Sequence, residues 1–330
     1  MTDIPTCTDG ALIDEFVAQA DVADTTRSTY RTRLHEFRRW MADPRSGHPE
    51  PVSMRDARRA DIARFASYLQ GGDRFAAEAH YKIKTTLSAS TRKSFLAALN
   101  SFYQYLITVE LVEANPTVGV PRPKVKLKRG LCLSVDELRR LLEVDGSPRD
   151  RVQVYLLAFT GARVSEIRNL RWRDVNFTDG TILLHGKGDK ERLIFMHPRL
   201  VPELRRWWLR QQATAERDPT YRHVRDNPAT DFVLVTKHGR PLAFNAIHKQ
   251  LNRRAARAGL YVLGTAHGEH RTQVSPHVLR RTFATILLND GEHLDAVADV
   301  LGHESVDTTR KHYAFASEER RRATIHAFKV

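Results

Sequence analysis

The C-terminal part of the chain carries residue types that could break and remake a phosphodiester bond. Two histidines, an arginine pair and a tyrosine occur in the order His277, Arg280 with Arg281, His303 and Tyr313. A phenolic oxygen can attack phosphorus, arginine can neutralise the charge that develops on the phosphate oxygens, and histidine can move protons. These residues therefore indicate an attack on phosphate, with Tyr313 as the nucleophile.

Cleavage of a phosphodiester without a metal also needs fixed positive charge and an acid for the leaving oxygen. Arg163, at the start of a predicted helix, can present a planar guanidinium to two phosphate oxygens, and Arg280 can do the same. Lys187 lies between Gly186 and Gly188 in a turn that can bend closely over a ligand, which suits a general acid. A Gly-Lys-Gly turn is weak evidence alone, and the residues around it do not make a nucleotide P-loop.

His277 and Arg280 are three residues apart on a helix that Ser275 and Pro276 are predicted to begin. This spacing places both side chains on one helix face, where they can address the same ligand. Arg281 would face the phosphate instead if the helix were rotated slightly. The His-x-x-Arg spacing favours Arg280.

The overall charge points to a polyanionic partner. Lysine and arginine number 53 against 39 acidic residues, which gives a net charge of +14, and nucleic acid is the predicted partner. Cys7 and Cys132 are the only cysteines and show no metal-site or disulfide spacing, which favours a reduced, cytoplasmic protein. The sequence lacks a signal-peptide pattern and an apolar run of about 18 residues, so neither secretion nor membrane insertion is expected.

Helices that could position these side chains begin near residue 11 and continue to about residue 110. Apolar side chains repeat there at helical spacing in three segments, which predicts the core of a small helical bundle. The segments carry Tyr30, Leu34, Phe37 and Met41; Ile62, Phe65 and Leu69; and Phe95, Leu99, Phe102 and Leu106.

Prolines and alternating cations follow the bundle and predict an extended linker. The chain is therefore divided into a helical domain at residues 1–115, a basic linker at 116–130 and a second domain with a C-terminal tail at 131–330. The linker is either a solvated tether or a segment that lies along a phosphate backbone. The candidate DNA-binding residues are Arg122, Lys124, Lys126, Lys128 and Arg129, together with Arg281 in the second domain.

The second domain is predicted to combine helices with one β-hairpin. Ser134 and Glu137 form a capping box at its first helix. Two strands flank the glycine-rich turn around Lys187. The fold class is mainly α, with a small antiparallel sheet in an α-rich second domain. The other predicted elements are a buried helix at 151–159, a helix beginning at about Arg163, hairpin strands at 181–185 and 192–196, and a short strand at 232–235.

These residues resemble the tyrosine recombinases, also called phage integrases, among which the Xer-type recombinases are the nearest simple members. The resemblance is close over about residues 131–316 and looser over the N-terminal bundle. The matching positions are Thr160-Gly161-Ala162-Arg163-Val164-Ser165-Glu166 for the first catalytic arginine, Lys187 for the hairpin lysine, His277 and Arg280 for the His-x-x-Arg box, Leu301-Gly302-His303 for the last histidine and Tyr313 for the nucleophile.

Two positions depart from the family pattern. Many Xer-type members place the tyrosine nine positions after the last histidine, where this chain has His312. The role is assigned to Tyr313 because histidine cannot replace the usual nucleophile. Arg281 stands where relatives often have a histidine.

The resemblance implies that Tyr313 attacks a scissile phosphate to give a 3′-phosphotyrosyl link and a free 5′ hydroxyl, with no metal, ATP or other cofactor. The hydroxyl of a second duplex then displaces the tyrosine. The implied roles of the other residues are phosphate binding by Arg163, Arg280 and His303, protonation of the leaving oxygen by Lys187, proton transfer at the tyrosine by His277 and fixation of Arg163 or its helix by Glu166.

The resemblance also implies an N-terminal SAM-like bundle that binds the core of the DNA site, and a tetramer on two duplex sites. A second recombinase or an accessory protein remains an open partner, and nucleoid association is expected. The tail at 314–330 would dock on a neighbouring subunit; packing on its own subunit or fraying is the alternative.

The biological role that we expect is Xer-like dimer resolution, or integration and excision of a mobile element. The first helix begins near residue 11, which leaves no room for an arm-binding domain and favours such a compact recombinase. Two other classes stay open. A type IB topoisomerase would relax supercoils with related chemistry, and a DNA-binding protein without a working site would form no covalent adduct.

Overall fold

The chain is mainly helical and carries a small three-stranded antiparallel sheet, which confirms the predicted fold class. It divides into two compact units, residues 1–127 and 128–330. The division lies inside the predicted linker, while the predicted roles of the two domains stay predictions. The computed structural model describes residues 8–71, 87–125, 131–186, 190–218, 221, 231–260 and 274–302.

The described part of the first unit contains four helices, and its predicted apolar stripes are buried except at Tyr30, which is partly buried. Aromatic rings meet in the core, where Phe37 and Phe65 have their ring centroids 4.8 Å apart and Phe65 and Phe95 have theirs 5.9 Å apart. Buried rings of this kind add edge-to-face attraction to the hydrophobic effect. The helices are α1 (Asp9–Gln19), α2 (Asp24–Met41), α3 (Arg59–Tyr68) and α4 (Ala89–Thr108), with 3-10 turns at Pro44–Ser46 and Met54–Asp56.

The helices of the second unit surround one central helix, α6. α6 is apolar on nearly all sides, with Val152, Val154, Leu156 and Leu157 fully buried, and it packs against α5, α7, α8, α9 and α10. The helices of this unit are α5 (Val135–Glu143), α6 (Pro148–Thr160), α7 (Val164–Asn169), α8 (Val201–Arg217), α9 (Phe244–Arg257), α10 (Pro276–Asn289) and α11 (Leu294–Leu301), with a 3-10 turn at Trp172–Asp174.

Local signals set the start of α5 and both ends of α6, which begins three residues before the predicted start at residue 151. Ser134 and Glu137 exchange the predicted capping-box hydrogen bonds at 3.2 and 2.8 Å. Ser147 caps α6, Pro148 occupies its first turn, and Gly161 ends it with a left-handed φ of 59°. A β-carbon at Gly161 would lie 2.5 Å from the Phe283 ring, so only glycine fits this corner.

The sheet contains β1 (Val175–Asn176), β2 (Thr181–His185) and β3 (Glu191–Phe195) in that order, all antiparallel. The β2–β3 pair confirms the predicted hairpin, and β1 was not predicted. The predicted strand at 232–235 is wrong: Phe232 and Val235 each form only an isolated bridge, because their partners Arg171 and Pro241 lie in irregular segments. No described helix has the length and apolar character needed to cross a membrane.

Candidate active site

The structure describes part of the predicted set of functional residues. Arg163, His277 and Arg280 are described, as are Glu166 and Arg281, whereas Lys187, His303 and Tyr313 lie outside the described residues. Among the candidate DNA-binding residues of the linker, Arg122 and Lys124 are described and exposed; Lys126, Lys128 and Arg129 lie outside the described residues.

Arg163 lies at the sharp corner between α6 and α7. Its backbone is extended, with φ −70° and ψ 149°, and it caps α7. The guanidinium donates from Nη1 to Oε1 of Glu166 at 3.0 Å and from Nη2 to the carbonyl oxygen of Gly302 at 3.2 Å. The side chain keeps 37% of its surface exposed, so solvent or a bound phosphate can approach it.

Glu166 is the centre of a buried charge cluster that joins α7 to β3. Its side chain is only 1% exposed and accepts four hydrogen bonds, two from Arg163 and two from Arg192. Burial raises the pKa of this carboxyl, but hydrogen bonds and charge from Arg192, and then from Arg163, outweigh it and leave the pKa lowered. We call Glu166, Arg163 and Arg192 the Glu166 cluster.

Arg192 is the site residue that sequence reasoning missed. Its two Nη atoms donate to the two carboxylate oxygens of Glu166, each at 2.7 Å, and its Nε donates to the carbonyl oxygen of Val300 at 3.0 Å. The side chain is 12% exposed. This fork-to-fork geometry is the strongest form of arginine–carboxylate contact.

Arg280 is held inside the second unit from α10, the helix predicted to start at Ser275 and Pro276. Ser275 caps that helix, and Pro276 occupies its first turn. The residue is 6% exposed and donates from Nη1 to the carbonyl oxygen of Gly161 and from Nη2 to that of Leu301, both at 2.8 Å. Arg280 thus ties the corner that carries Arg163 to the end of α11.

Three successive carbonyl groups at the end of α11 each accept a hydrogen bond from a different arginine. Val300 accepts from Arg192, Leu301 from Arg280 and Gly302 from Arg163. A helix C-terminus leaves its last carbonyls without intrahelical partners and carries a partial negative charge, so cations are stabilising there. α11 ends in Gly302 with a left-handed φ of 65°, directly before His303 in the sequence.

His277 lies one turn before Arg280 on α10 and is exposed. Its pKa is lowered, first by partial loss of water around the ring and then by the positive charges of Arg280, His248, Arg163 and Arg281. The ring is therefore neutral at pH 7 and can accept a proton. The charge of Arg163, which lies on a different segment, is among those that lower the pKa of His277.

The hairpin that carries Lys187 starts beside the Glu166 cluster. The backbone N–H of Gly186 donates to the carbonyl oxygen of Lys190 at 2.6 Å, and a β-carbon at Gly186 would lie 3.6 Å from Oε1 of Glu166. The turn at 187–189 itself lies outside the described residues.

The structure thus brings together Arg163, Glu166, Arg192, Arg280, His277 and the base of the hairpin. Within the described ranges no group of His, Cys, Asp or Glu could hold a metal ion.

Comparison with known families covers most of the chain. Residues 132–320 match the phage integrase family, and residues 13–109 match the phage integrase N-terminal SAM-like domain. A tyrosine recombinase XerD from Shewanella oneidensis is 27% identical over 305 residues, which cover 91% of this chain and 89% of that protein. A tyrosine recombinase XerC from Lactobacillus delbrueckii subsp. bulgaricus is 34% identical over 229 residues, or 68% of this chain and 72% of the relative.

Solved structures show the same fold. A XerH site-specific recombinase in a post-cleavage complex with its difH substrate has a TM-score of 0.67 and 22% identity, and the match covers 96% of this chain and 84% of that one. A lambda integrase dimer bound to a core site has a TM-score of 0.63 and 17% identity, with 92% and 94% coverage. Because the phage integrase model matches more than half of the sequence, the chain belongs to the phage integrase family and is a tyrosine site-specific recombinase.

Proposed function

We propose that six residues of the second unit form the active site that cleaves and rejoins duplex DNA through a 3′-phosphotyrosyl intermediate. The observation that carries this proposal is the convergence of Arg163 and Arg280 on the adjacent carbonyl groups of Gly302 and Leu301. Arg163 lies at the corner before α7 and Arg280 lies on α10, and the residue after Gly302 is the predicted histidine ligand of the phosphate. The six residues are Arg163, Lys187, His277, Arg280, His303 and Tyr313.

The proposed first step forms a bond between the phenolic oxygen of Tyr313 and phosphorus and breaks the bond from phosphorus to the 5′ oxygen. His277 receives the phenolic proton, for which its neutral ring at pH 7 is suited, and Lys187 supplies a proton to the leaving 5′ oxygen. Arg163, Arg280 and His303 stabilise the charge on the nonbridging oxygens. The second step reverses these transfers with a 5′ hydroxyl from another duplex, so the bond energy is conserved.

The proposed assembly is a tetramer on two duplex sites. Lambda integrase is seen as a dimer on a core site and as a tetramer on a Holliday junction. Exchange of strands between two duplexes requires four cleavages and therefore four tyrosines. We propose that the tail at 314–330 docks on a neighbouring subunit and that the helices of the first unit bind the core of the site.

Dimer resolution, or integration and excision of a mobile element, is the biological role that we propose. The likeness to XerD over 91% of the chain favours the compact Xer-like group. A second recombinase or accessory protein as partner is part of the proposal. Because both proposed roles act on duplex DNA, localisation to the nucleoid is also part of the proposal.

The experiment that tests the function uses a library of randomised duplexes with a nick, incubated with wild type or with Tyr313→Phe in the presence of a chelator. DNA that stays attached to protein after denaturation is sequenced. A preferred sequence attached to wild type, and none attached to Tyr313→Phe, is the expected result. Adducts formed equally by Tyr313→Phe would refute the nucleophile, and absence of adducts from both proteins would refute cleavage by this chain without a partner protein.

A further inference from the structure

We infer that Arg192 is a positioning residue for DNA cleavage: it neutralises Glu166, so that the positive charge of Arg163 serves the scissile phosphate, and it fixes the end of α11. This inference rests on the proposed function. It assigns a role to a residue on β3, the strand that follows the turn bearing Lys187, to which neither the residue types nor the family resemblance assigned one.

Charge balance is the first argument. Glu166 is ionised because its pKa is lowered, and both arginines stay protonated in proteins, so the Glu166 cluster carries one net positive charge. Without Arg192 the only charges left in the cluster would be Glu166 and Arg163, and the pair would be neutral overall. A phosphate that approaches Arg163 would then meet the field of a dipole instead of that of a cation, and transition-state stabilisation would weaken.

Geometry is the second argument. Arg192 uses its fork to hold both oxygens of Glu166 and its Nε to hold the carbonyl oxygen of Val300, so one side chain sets the relative position of α7 and α11. A β-carbon at Gly302 would lie 3.0 Å from Cδ and from Nη1 of Arg192, which shows how closely the guanidinium covers the residue before His303. Lysine has a single ammonium group and cannot reproduce this planar arrangement.

The second unit contains a matched cluster that serves as a control. Glu203 on α8 is buried, with its side chain 7% exposed, and Arg151 contacts both of its oxygens at 2.8 and 3.1 Å. Arg206 adds a contact at 2.9 Å from three residues along the helix, as Arg163 does for Glu166. Arg151 lies ten residues before Gly161 along α6, which corresponds to about 15 Å along the helix axis at a rise of 1.5 Å per residue. The Glu203 cluster therefore has the same chemistry without contact to the site.

The test measures single-turnover adduct formation at saturating DNA with the full chain and a nicked duplex that carries a site recovered from the randomised library. The variants are Arg192→Gln, Arg192→Lys and Arg151→Gln. For each variant, the dissociation constant for the duplex and the thermal unfolding midpoint are also measured. We expect Arg192→Gln to lower the rate about 100-fold, the size of effect that a misplacement of about 1 Å produces. Arg192→Lys should regain part of the rate because it restores the charge but not the fork.

The control should separate positioning from stability. Arg151→Gln should lower the unfolding midpoint about as much as Arg192→Gln, because each substitution removes one partner of a buried carboxylate. The cleavage rate of Arg151→Gln should nevertheless stay within about threefold of wild type, because the Glu203 cluster does not contact the site. Duplex affinity should change less than about threefold in all three variants, since at most one phosphate contact among many is affected.

Three outcomes would overturn the inference. The first is an equal rate loss in Arg192→Gln and Arg151→Gln once the unfolded fraction is subtracted. The second is an Arg192→Lys rate equal to wild type, or no higher than Arg192→Gln. The third is a full additional loss from Arg192→Gln in an Arg163→Ala background. If wild type forms no adduct, the proposed function itself fails; if wild type cleaves and Arg192→Lys cleaves equally well, only the inference fails.

Discussion

The guanidinium of Arg280 donates to the carbonyl oxygen of Leu301 at 2.8 Å, and with its other arm it reaches the carbonyl oxygen of Gly161 at the same distance. One buried side chain on α10 thus fixes two chain segments that carry proposed phosphate ligands. The corner after Gly161 bears Arg163, and the segment after Leu301 leads to His303. Arg280 therefore has a scaffold role in addition to the proposed contact with phosphate.

Replacement of Arg280 by lysine tests this double role. Lysine cannot reach both carbonyl groups in the plane of a guanidinium, so one buried acceptor loses its partner, which costs about 1–3 kcal/mol of unfolding free energy. At a temperature where the variant is folded, we expect the rate of adduct formation to fall further than a loss of folded protein would explain. Urea unfolding and single-turnover cleavage measure the two effects. Arg281→Lys is the comparison variant, and a larger cleavage defect in Arg281→Lys would transfer the phosphate contact to Arg281.

Gly161→Ala should destabilise the second unit. The left-handed φ of 59° costs a residue with a β-carbon about 1–2 kcal/mol, and the clash with Phe283 at 2.5 Å adds to that cost. Gly180→Ala is the matched control, because Gly180 has a φ of 67° and no heavy atom within 4 Å of a β-carbon. The difference between the two unfolding free energies in urea isolates the clash. Equal losses would show that Phe283 moves aside without cost.

The pH dependence of cleavage should report the lowered pKa of His277. The proposed base works in its neutral form, so the rate should fall as the pH drops through a value below the ordinary histidine pKa of 6.5. Stability should follow the same direction, since the unfolded chain binds the His277 proton more readily than the folded chain below pH 6.5. A rate profile between pH 5 and pH 8 checks this. An acid limb at or above pH 6.5 that is absent in His277→Gln would contradict it.

The buried carboxylate of Glu166 should make stability fall with acidity as well, but at a lower pH than His277 does. Its lowered pKa means that its contribution is fully present above the unfolded value, near 4.5, and is lost as the pH falls through the lower folded value. We therefore expect the stability difference between wild type and Glu166→Gln to shrink as the pH falls below about 4.5. Urea unfolding from pH 3 to pH 6 measures this difference. A difference that stays constant with pH would exclude an ionised Glu166 in the folded chain.

The sequence predicts the helices well where local signals and periodicity agree. The capping box at Ser134 and Glu137, and the start of α10 at Ser275 and Pro276, lie where expected because both signals act within one helical turn. The segment at 232–235 shows the limit of such signals. Its residues are apolar enough for a strand, but a strand needs a neighbour of matching length, and within the described ranges the segment forms only isolated bridges to Arg171 and Pro241.

The role of Arg192 could not be predicted from its neighbours. Period-two patterning places Leu193 and Phe195 on one face of β3 and Arg192 and Ile194 on the other. Hydrophobicity alone would turn Leu193 and Phe195 inward, whereas they are 58% and 76% exposed. The opposite face is buried because Glu166 and the carbonyl group of Val300, distant in sequence, provide partners for Arg192. Sequence patterns along one strand contain no information about such distant partners.

The arginine contacts at the end of α11 determine when the proposed site can assemble during synthesis of the chain. Arg163 and Gly302 are separated by 139 residues, and Arg192 and Val300 by 108. Contacts at such separation form only after the intervening chain has been made and brought together, and a ribosome adds about 5–20 residues per second. A growing polypeptide therefore cannot hold Arg163 and Arg280 together at the end of α11 until the second unit has been synthesised at least to Gly302.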